Sequence, residues 1–502
     1  MGRQAGVGLH FTSLPGRQGC GDIADAARSF IDQLVHMGIG VWQFLPTGPT
    51  AYGDSPYQPL SAFAGNAMLI GLDPLVRLGL LETSDLTPLA RLPGTWVDYD
   101  QVIPARRALI AKAAEQFHAH PPPRLQTAYE EFLHIHEHNW LNEYALFRCL
   151  KTLHGEQAWT QWDKPYRRRE PAALRAAGSR LHESIDLVKF TQFLFDHQWH
   201  NLKHYASERG IYLFGDMPIY IALDSADAWA HPEMLLLDAD GQPSFVAGVP
   251  PDYFSADGQL WGNPLYDWDY HRQTGYGWWI DRMRHADGRM SLVRMDHFRG
   301  FESFWSVPAA AKTARPGSWE PGPGDALFNA LRQSLGQLPI VAEDLGVITP
   351  EVRALRLRHG IPGMRVLQFE VGDPDFDPAA IEKNCVCYTG THDNDTTVGW
   401  FKGNQDDTRT DQEILQNRAN ALRLAGGTAQ TIHLDMIRLA FSSPAALAIA
   451  PMQDYLGLGS EARLNTPGST QHNWRWRLRA GELQPAVLEL VAEMTASSGR
   501  IR

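Results

Sequence analysis

Eight short apolar segments, most of them separated by helix-like stretches, constrain the fold of this chain more than any other feature. These segments are 6–11, 41–45, 211–214, 292–295, 339–342, 364–369, 385–388 and 445–450. Strands that alternate with helices pair in parallel by default, and eight parallel strands are the number that closes a (β/α)8 barrel. We therefore predict an α/β protein built on a TIM barrel with large inserted subdomains, one of them mainly helical.

Two longer stretches interrupt the alternation and predict the domain organisation. Residues 106–118 and 129–151 have helical apolar spacing, with three prolines at 121–123 between them. Segment 222–285 is irregular and rich in aromatic residues, which argues against disorder. We predict that the barrel starts in 1–66, continues in 186–221 and is completed by 286–502. A mainly helical subdomain is then inserted at 67–185, and a substrate-binding subdomain with an aromatic loop at 222–285.

Charge and cysteine content exclude several classes of protein. The net charge is −12 and no basic patch dominates, which argues against a nucleic-acid or anionic-membrane partner. The sequence has no hydrophobic signal core and no apolar run that could span a bilayer. The four cysteines lack the paired spacing of a zinc site and suit a reducing compartment. We expect a cytoplasmic protein without a metal.

Three acidic residues stand where predicted strands end. Asp296 follows the fourth strand, Glu343 the fifth and Asp393 the seventh. In a closed barrel the carboxyl ends of all strands open into one mouth, so these acids converge despite their sequence separation. Two carboxyls across a pocket are what glycoside chemistry requires, and a third can hold sugar hydroxyls. The alternative is that each acid belongs to a salt bridge at the barrel rim.

Arg294 lies two residues before Asp296, on the same face of the fourth strand. A guanidinium at that place keeps a carboxylate ionised, and an ionised, oriented Asp can act as a nucleophile. A purely structural ion pair is the alternative. A calcium loop is a further alternative for residues 393–395, but the glycine and closing glutamate of that motif are missing, so we predict no metal.

Ten sequence blocks, in order along nearly the whole chain, resemble those of the 4-alpha-glucanotransferases, also called amylomaltases or disproportionating enzymes (glycoside hydrolase family 77). The blocks are 53–58 (GDSPYQ), 63–66 (FAGN), 215–220 (GDMPIY), 250–255 (PPDYFS), 261–266 (WGNPLY), 294–301 (RMDHFRGF), 342–346 (AEDLG), 390–396 (GTHDNDT), 465–468 (NTPG) and 473–476 (NWRW). The resemblance implies a retaining enzyme that needs no metal, nucleotide or other cofactor.

The resemblance also implies a role for each site residue. Asp296 would be the nucleophile, Glu343 the general acid and base, and Asp393 a transition-state stabiliser. Arg294 would hold Asp296, while His297 and His392 would contact hydroxyls beside the cleaved bond. The residues expected to line the glucan groove are Tyr57, Asp216, Asn263, Asn465 and Trp474. Tyr253 and Phe254 would lie on an acceptor-side loop with Trp261.

The activity implied is transfer of an alpha-1,4-glucan segment to the 4-OH of an acceptor through a covalent glycosyl-enzyme. Expected partners are maltooligosaccharides, starch- or glycogen-derived glucans and glucose as acceptor, in a monomer or small homo-oligomer. Aromatic residues that exclude water and stack an acceptor favour transfer over hydrolysis, although the same residues could form a hydrophobic plug. Two alternatives stay open: an alpha-amylase-type hydrolase and an inactive glucan-binding protein.

Overall fold

The structure is a computed structural model that describes residues 2–251, 257–404, 407–469 and 471–500. The strands in these residues are β1 (Gln4–Gly8), β2 (Val41–Gln43), β3 (Tyr212–Met217), β4 (Phe245–Val249), β5 (Gln259–Pro264), β6 (Leu292–Met295), β7 (Ser303–Pro308), β8 (Ser318–Pro321), β9 (Ile340–Ala342), β10 (Gly363–Val366), β11 (Cys385–Tyr388) and β12 (Leu447–Pro451).

The helices over the same residues are α1 (Asp25–His36), α2 (Asp73–Arg77), α3 (Tyr99–Ala119), α4 (Pro123–His136), α5 (Asn142–Leu153), α6 (Lys164–Arg167), α7 (Pro171–Arg180), α8 (His182–Glu208), α9 (Ala226–Ala230), α10 (Trp268–Gln273), α11 (Gly277–Arg289), α12 (Asp325–Leu335), α13 (Pro350–Arg358), α14 (Leu367–Glu370), α15 (Thr397–Lys402), α16 (Asp411–Ala425), α17 (Ile432–Ser442), α18 (Met452–Tyr455) and α19 (Pro485–Ser497). None of the described helices is both long and apolar enough to cross a membrane.

Eight of the strands form one parallel sheet in the order β10-β11-β12-β1-β2-β3-β6-β9. The first and last strands of this order, β10 and β9, also approach each other. Ala342 N, at the end of β9, donates a hydrogen bond at 2.8 Å to the O of Pro362, which directly precedes β10. The sheet is thereby nearly closed, and the predicted (β/α)8 barrel is confirmed. All eight predicted segments are barrel strands. The sixth ends earlier than predicted, because α14 begins at Leu367.

Side chains alternate between the inside of the barrel and the helix layer, as the two-residue period of a strand requires. Val41, Phe214 and Val386 belong to a buried cluster made only of barrel-strand residues. Their chain neighbours Trp42 and Leu213 pack instead in the large cluster that includes the surrounding helices. Burying a large apolar side chain contributes about 1.5–3 kcal/mol, so this alternation fixes which face of each strand turns inward.

Residues 67–185, the predicted helical insertion, contain only helices as regular elements, α2 to α7 and the start of α8. The predicted helix over 129–151 is interrupted by a π-helical turn at Glu137–Leu141, which separates α4 from α5.

A second sheet, with strand order β5-β4-β7-β8, was not predicted. It is antiparallel and joins strands from both sides of β6 along the chain. Apolar and polar residues alternate too little along these strands for the sequence to reveal them, because pairing between distant segments defines the strands. This sheet carries Trp261 to the mouth of the barrel.

Candidate active site

Arg294 is the centre of a buried charge cluster at the mouth of the barrel. Its Nη1 lies 2.9 Å from Oδ1 and 2.7 Å from Oδ2 of Asp216, and 2.9 Å from Oδ1 of Asp296. The register of the sheet explains the first contact, since Asp216 of β3 is paired with Arg294 of β6. Residues paired across neighbouring strands point to the same face. Arg294 therefore tethers Asp296 and neutralises part of the charge of two carboxylates.

Tyr57 connects this cluster to the opposite side of the mouth. Its hydroxyl donates to Asp216 Oδ2 at 2.7 Å. Its ring stacks on the His392 imidazole, with centroids 5.2 Å apart and planes 17° apart. Trp474 lies 6.0 Å from both rings. The three rings form an aromatic wall on which a flat sugar face can pack.

Glu343 follows β9 and is held by two backbone amides. His297 N donates to Oε2 at 2.8 Å, and Leu345 N donates to Oε1 at 3.0 Å. Desolvation raises the pKa of the Glu343 carboxyl to about 7; Arg294 opposes this rise and the charge of Asp296 adds to it. A carboxyl with a pKa near neutrality can both donate and accept a proton at working pH.

His297, whose backbone N donates to Glu343, has a strained backbone conformation. With φ 50° and ψ 51° it lies in the left-handed region, which is uncommon for a residue other than glycine and often marks functional positions. Burial lowers the pKa of its imidazole to about 4, so the ring is neutral at physiological pH. Trp261 packs edge-to-face against this ring, with centroids 4.7 Å apart.

Asp393 lies in the loop after β11 and is fixed from the segment that follows β12. Asn465 Nδ2 donates to Asp393 Oδ1 at 2.6 Å. Arg463 donates to the backbone oxygen of Asp393 at 2.7 Å. His392 Nε2 lies 3.4 Å from Oδ2, and the Asp393 side chain is 47% exposed. The carboxylate is thus oriented by the protein and accessible to a ligand.

A cavity of about 720 Å³, open to solvent, extends the site away from the acid pair. Its wall includes Arg294 and His392 and also His10, Gln43 and Tyr388, whereas neither Asp296 nor Glu343 lines it. It therefore lies on the side of the mouth formed by β1, β2, β11 and β12.

The other predicted binding residues are Asn263, Tyr253 and Phe254. Asn263 is buried and donates from Nδ2 to Ile221 O at 3.0 Å, while its Oδ1 faces Gln58 Nε2 at 3.4 Å. Tyr253 and Phe254 fall outside the described residues. The roles of all these residues in binding remain predictions.

The side chains of Asn394 and Asp395, which a calcium loop at 393–395 would use as ligands, are hydrogen-bonded to other residues of the protein. Asn394 Oδ1 accepts from Thr391 N and Oγ1, both at 2.9 Å. Asp395 Oδ2 accepts from Ser460 Oγ at 2.6 Å and from Asn404 Nδ2 at 2.8 Å. Over the described ranges, no group of three or more His, Cys, Asp or Glu side chains could hold a metal ion.

Several residues that shape the site were missed by the sequence reasoning. Arg463 and Ser460 contact the loop after β11 from a segment with no strand-end signal, so only the folded chain reveals them. Asp454, in contrast, follows β12 just as the catalytic candidates follow their strands. Its position at a strand end was a signal that could have singled it out.

Comparison with known proteins gives one consistent result. A family model described as 4-alpha-glucanotransferase matches residues 9–483. A 4-alpha-glucanotransferase of Synechocystis is 47% identical over 504 residues, covering 99% of this chain and 98% of the relative. One of Thermus thermophilus is 45% identical over 503 residues, covering 98% and 99%. Among solved structures, amylomaltase from Streptococcus agalactiae in complex with acarbose matches with a TM-score of 0.94 and 36% identity, covering 100% of both chains.

Proposed function

We propose that this chain, which belongs to the 4-alpha-glucanotransferase family, transfers alpha-1,4-glucan segments from a donor to the 4-OH of an acceptor glucose or glucan. The observation that carries the proposal is the pair of unlike carboxyls at the barrel mouth. Asp296 is tethered by Arg294 at 2.9 Å, while the pKa of Glu343 is raised to about 7 by desolvation. A carboxylate paired with a guanidinium and a carboxyl whose pKa lies near neutrality suit the two roles of a retaining mechanism.

In the first half of the reaction we assign the nucleophile to Asp296. Its carboxylate oxygen bonds to the anomeric carbon of the donor as the bond from that carbon to the leaving 4-oxygen breaks. Glu343 donates its proton to the leaving oxygen, so the released chain ends in a hydroxyl. The products are a covalent glycosyl-enzyme and an ionised Glu343.

In the second half Glu343 acts as the base. It removes the proton from the acceptor 4-OH, whose oxygen bonds to the anomeric carbon as the ester to Asp296 breaks. Asp296 leaves as a carboxylate and Glu343 is protonated again. Two inversions at one carbon give net retention.

Asp393 and His392 are assigned to the hydroxyls of the sugar undergoing reaction. Asn465 fixes Oδ1 of Asp393 at 2.6 Å, and Oδ2, 3.4 Å from His392 Nε2, would accept from a ligand hydroxyl. Hydrogen bonds that strengthen as the ring flattens stabilise the transition state. The neutral His297 ring and the aromatic wall of Tyr57 complete this subsite.

Transfer rather than hydrolysis requires that the acceptor outcompete water. Trp261 covers the His297 ring at 4.7 Å and offers an apolar face beside the acid pair. We propose that Trp261, together with Tyr253 and Phe254, binds the acceptor and excludes water. No cofactor is needed for any of these steps.

We propose the cytoplasm as the location and maltooligosaccharides and starch- or glycogen-derived glucans as substrates. Two observations support these proposals: all four cysteines are unpaired and buried, and the net charge of −12 disfavours anionic partners. We propose the domain boundaries predicted above and a monomer or small homo-oligomer.

Incubation with maltotriose tests the proposed function. Glucose together with a ladder of longer maltooligosaccharides is the expected result, whereas maltose and glucose alone would identify a hydrolase. Asp296→Ala should abolish turnover and retain maltooligosaccharide binding by calorimetry. Asp269→Ala, which removes an exposed carboxylate on α10, is the matched control. An active Asp296→Ala enzyme would remove Asp296 from the role of nucleophile.

A further inference from the structure

A buried carboxylate outside the reacting cluster connects both ends of the loop that carries His392 and Asp393. Asp454, on α18, is only 1% exposed. Its Oδ2 accepts from Thr389 Oγ1 at 2.6 Å and from Thr397 Oγ1 at 2.7 Å, and its Oδ1 accepts from Thr397 N at 2.7 Å. Thr389 directly follows β11 and Thr397 begins α15, so the loop 390–396 is fastened at its start and at its end by one side chain.

The three hydrogen bonds are short, and their donors are fully buried, with Thr389 and Thr397 both 0% exposed. Burial raises the pKa of the Asp454 carboxyl, and the hydrogen bonds from Thr389 and Thr397 oppose this rise. A buried carboxylate with all its oxygens engaged holds its partners in one geometry, since losing any bond leaves a buried polar group unsatisfied.

The loop between the two threonines has further restraints, some within the loop and some from outside it. Asn394 bonds within the loop to Thr391, which shapes the loop and does not anchor it. Anchors from outside are Gln368 on the Asp395 backbone oxygen at 2.9 Å, Arg463 and Asn465 on Asp393, and Ser460 on Asp395. The Asp454 carboxylate adds bonds to Thr389 and Thr397, one on each side of the loop. Gln368 also bonds both sides, because its N donates to Thr389 O at 3.3 Å, and Thr389 N donates to Ile449 O of β12 at 3.2 Å.

We propose that Asp454 is a positioning residue for the transferase reaction, which acts through the loop 390–396 to hold Asp393 and His392 against the reacting sugar. Asp454 does not itself line the cavity, although its neighbour Gln453 does. This inference rests on the function proposed for Asp393.

The test is a double-mutant cycle measured with maltotriose disproportionation. Asp454→Asn keeps the size of the side chain but has one acceptor oxygen for three donors. We expect its kcat per folded enzyme to fall about 10- to 100-fold, because small misplacements of a catalytic group have effects of this size, with little change in KM. In an Asp393→Asn background the same substitution should add much less loss than in the wild type, because Asp393, one of the two groups that Asp454 positions, no longer acts.

Asp435→Asn is the matched control. Asp435 is a buried carboxylate of α17 that accepts from Thr431 Oγ1 at 2.5 Å and pairs with Arg438 at 2.7 Å. Its loss should lower stability and leave kcat per folded enzyme unchanged. Thr397→Val and Thr397→Ser give a second test if Asp454→Asn does not fold. Valine should reproduce the loss of kcat, and serine, which keeps the hydroxyl, should restore it.

An unchanged kcat in Asp454→Asn and Thr397→Val, or additive losses in the Asp393→Asn background, would overturn the positioning role alone. A fully active Asp393→Asn enzyme would overturn both this role and the one proposed for Asp393.

Discussion

Arg294 and Asp216 form an ion pair that is almost completely removed from solvent. The guanidinium Nη1 lies 2.7 Å from Asp216 Oδ2, and the two side chains are 6% and 0% exposed. Two charges without water are stable only when each is paired and hydrogen-bonded. Here Tyr57 donates to Asp216 and Asp296 shares the guanidinium, so the pair links Tyr57 to Asp296, the proposed nucleophile.

Replacing Asp216 should therefore affect both stability and activity. Asp216→Asn leaves Arg294 with Asp296 as its one close carboxylate, and we expect a loss of about 3 kcal/mol in the free energy of unfolding. Turnover of maltotriose should fall as well, because Asp296 would be drawn closer to a guanidinium that has lost its other carboxylate. Urea unfolding and product analysis measure the two effects. Asp281→Asn, which breaks the exposed pair with Arg284, should cost less than about 1 kcal/mol. Equal losses in both variants would contradict the importance of burial.

The pH dependence of glycosyl-enzyme formation should report on Glu343. Its carboxyl is a proton donor only below its pKa, which desolvation raises to about 7. The kcat/KM for maltotriose should therefore fall as the pH rises through about 7. A glucosyl fluoride donor needs no proton for its leaving group, so this alkaline limb should be absent when the fluoride is the substrate.

The Glu343→Gln variant tests whether Glu343 is the proton donor that causes the alkaline limb. The variant should lose maltotriose turnover and still form the glycosyl-enzyme from the fluoride. Glu302→Gln changes another partly buried carboxyl, which directly precedes β7 and accepts from Ser303, and should keep the wild-type profile. An alkaline limb that persists with the fluoride would assign the titration to another group.

Two substitutions of Tyr57 separate the effect of its hydrogen bond to Asp216 from the effect of its ring stack on His392. Tyr57→Phe removes the hydrogen bond to Asp216 and keeps the stack on His392, whereas Tyr57→Ala removes both. We expect kcat/KM for maltotriose to fall about 10-fold in the first variant, which corresponds to a lost hydrogen bond to a charged group. A larger fall is expected in the second, because the sugar also loses an aromatic surface. Equal effects would mean that the ring contributes nothing to binding.

Trp261 should control the partition between transfer and hydrolysis. We expect Trp261→Ala to raise the share of donor lost to water, because the variant opens the apolar cover of His297. The measurement is the ratio of hydrolysis to transfer products from maltotriose. Leu260→Ala is the control, since Leu260 precedes Trp261 on β5 and points to the opposite face of that sheet. A ratio that stays constant in Trp261→Ala would exclude a water-excluding role.

The acids at the strand ends are site candidates that local sequence patterns can predict. Asp296, Glu343 and Asp393 could be chosen from the sequence because a barrel brings the ends of all its strands to one mouth. The second partner of Arg294 could not be chosen in the same way. The sequence suggested Asp296, which the structure places 2.9 Å from Arg294, while the register of β3 with β6 adds Asp216 directly beside it. Register depends on pairing between segments far apart in the chain.

The sequence by itself determined the number of barrel strands, the alternation with helices, and which acids stand at strand ends, because these follow from side-chain period and chain order. Only the tertiary structure decided which side chains meet. The desolvation that raises the pKa of Glu343, the stack of Tyr57 on His392, and the hold of Asp454 on both Thr389 and Thr397 are produced by segments that approach each other only in the folded chain. Burial and distance set the energies of these contacts, and neither is encoded in any local stretch of residues.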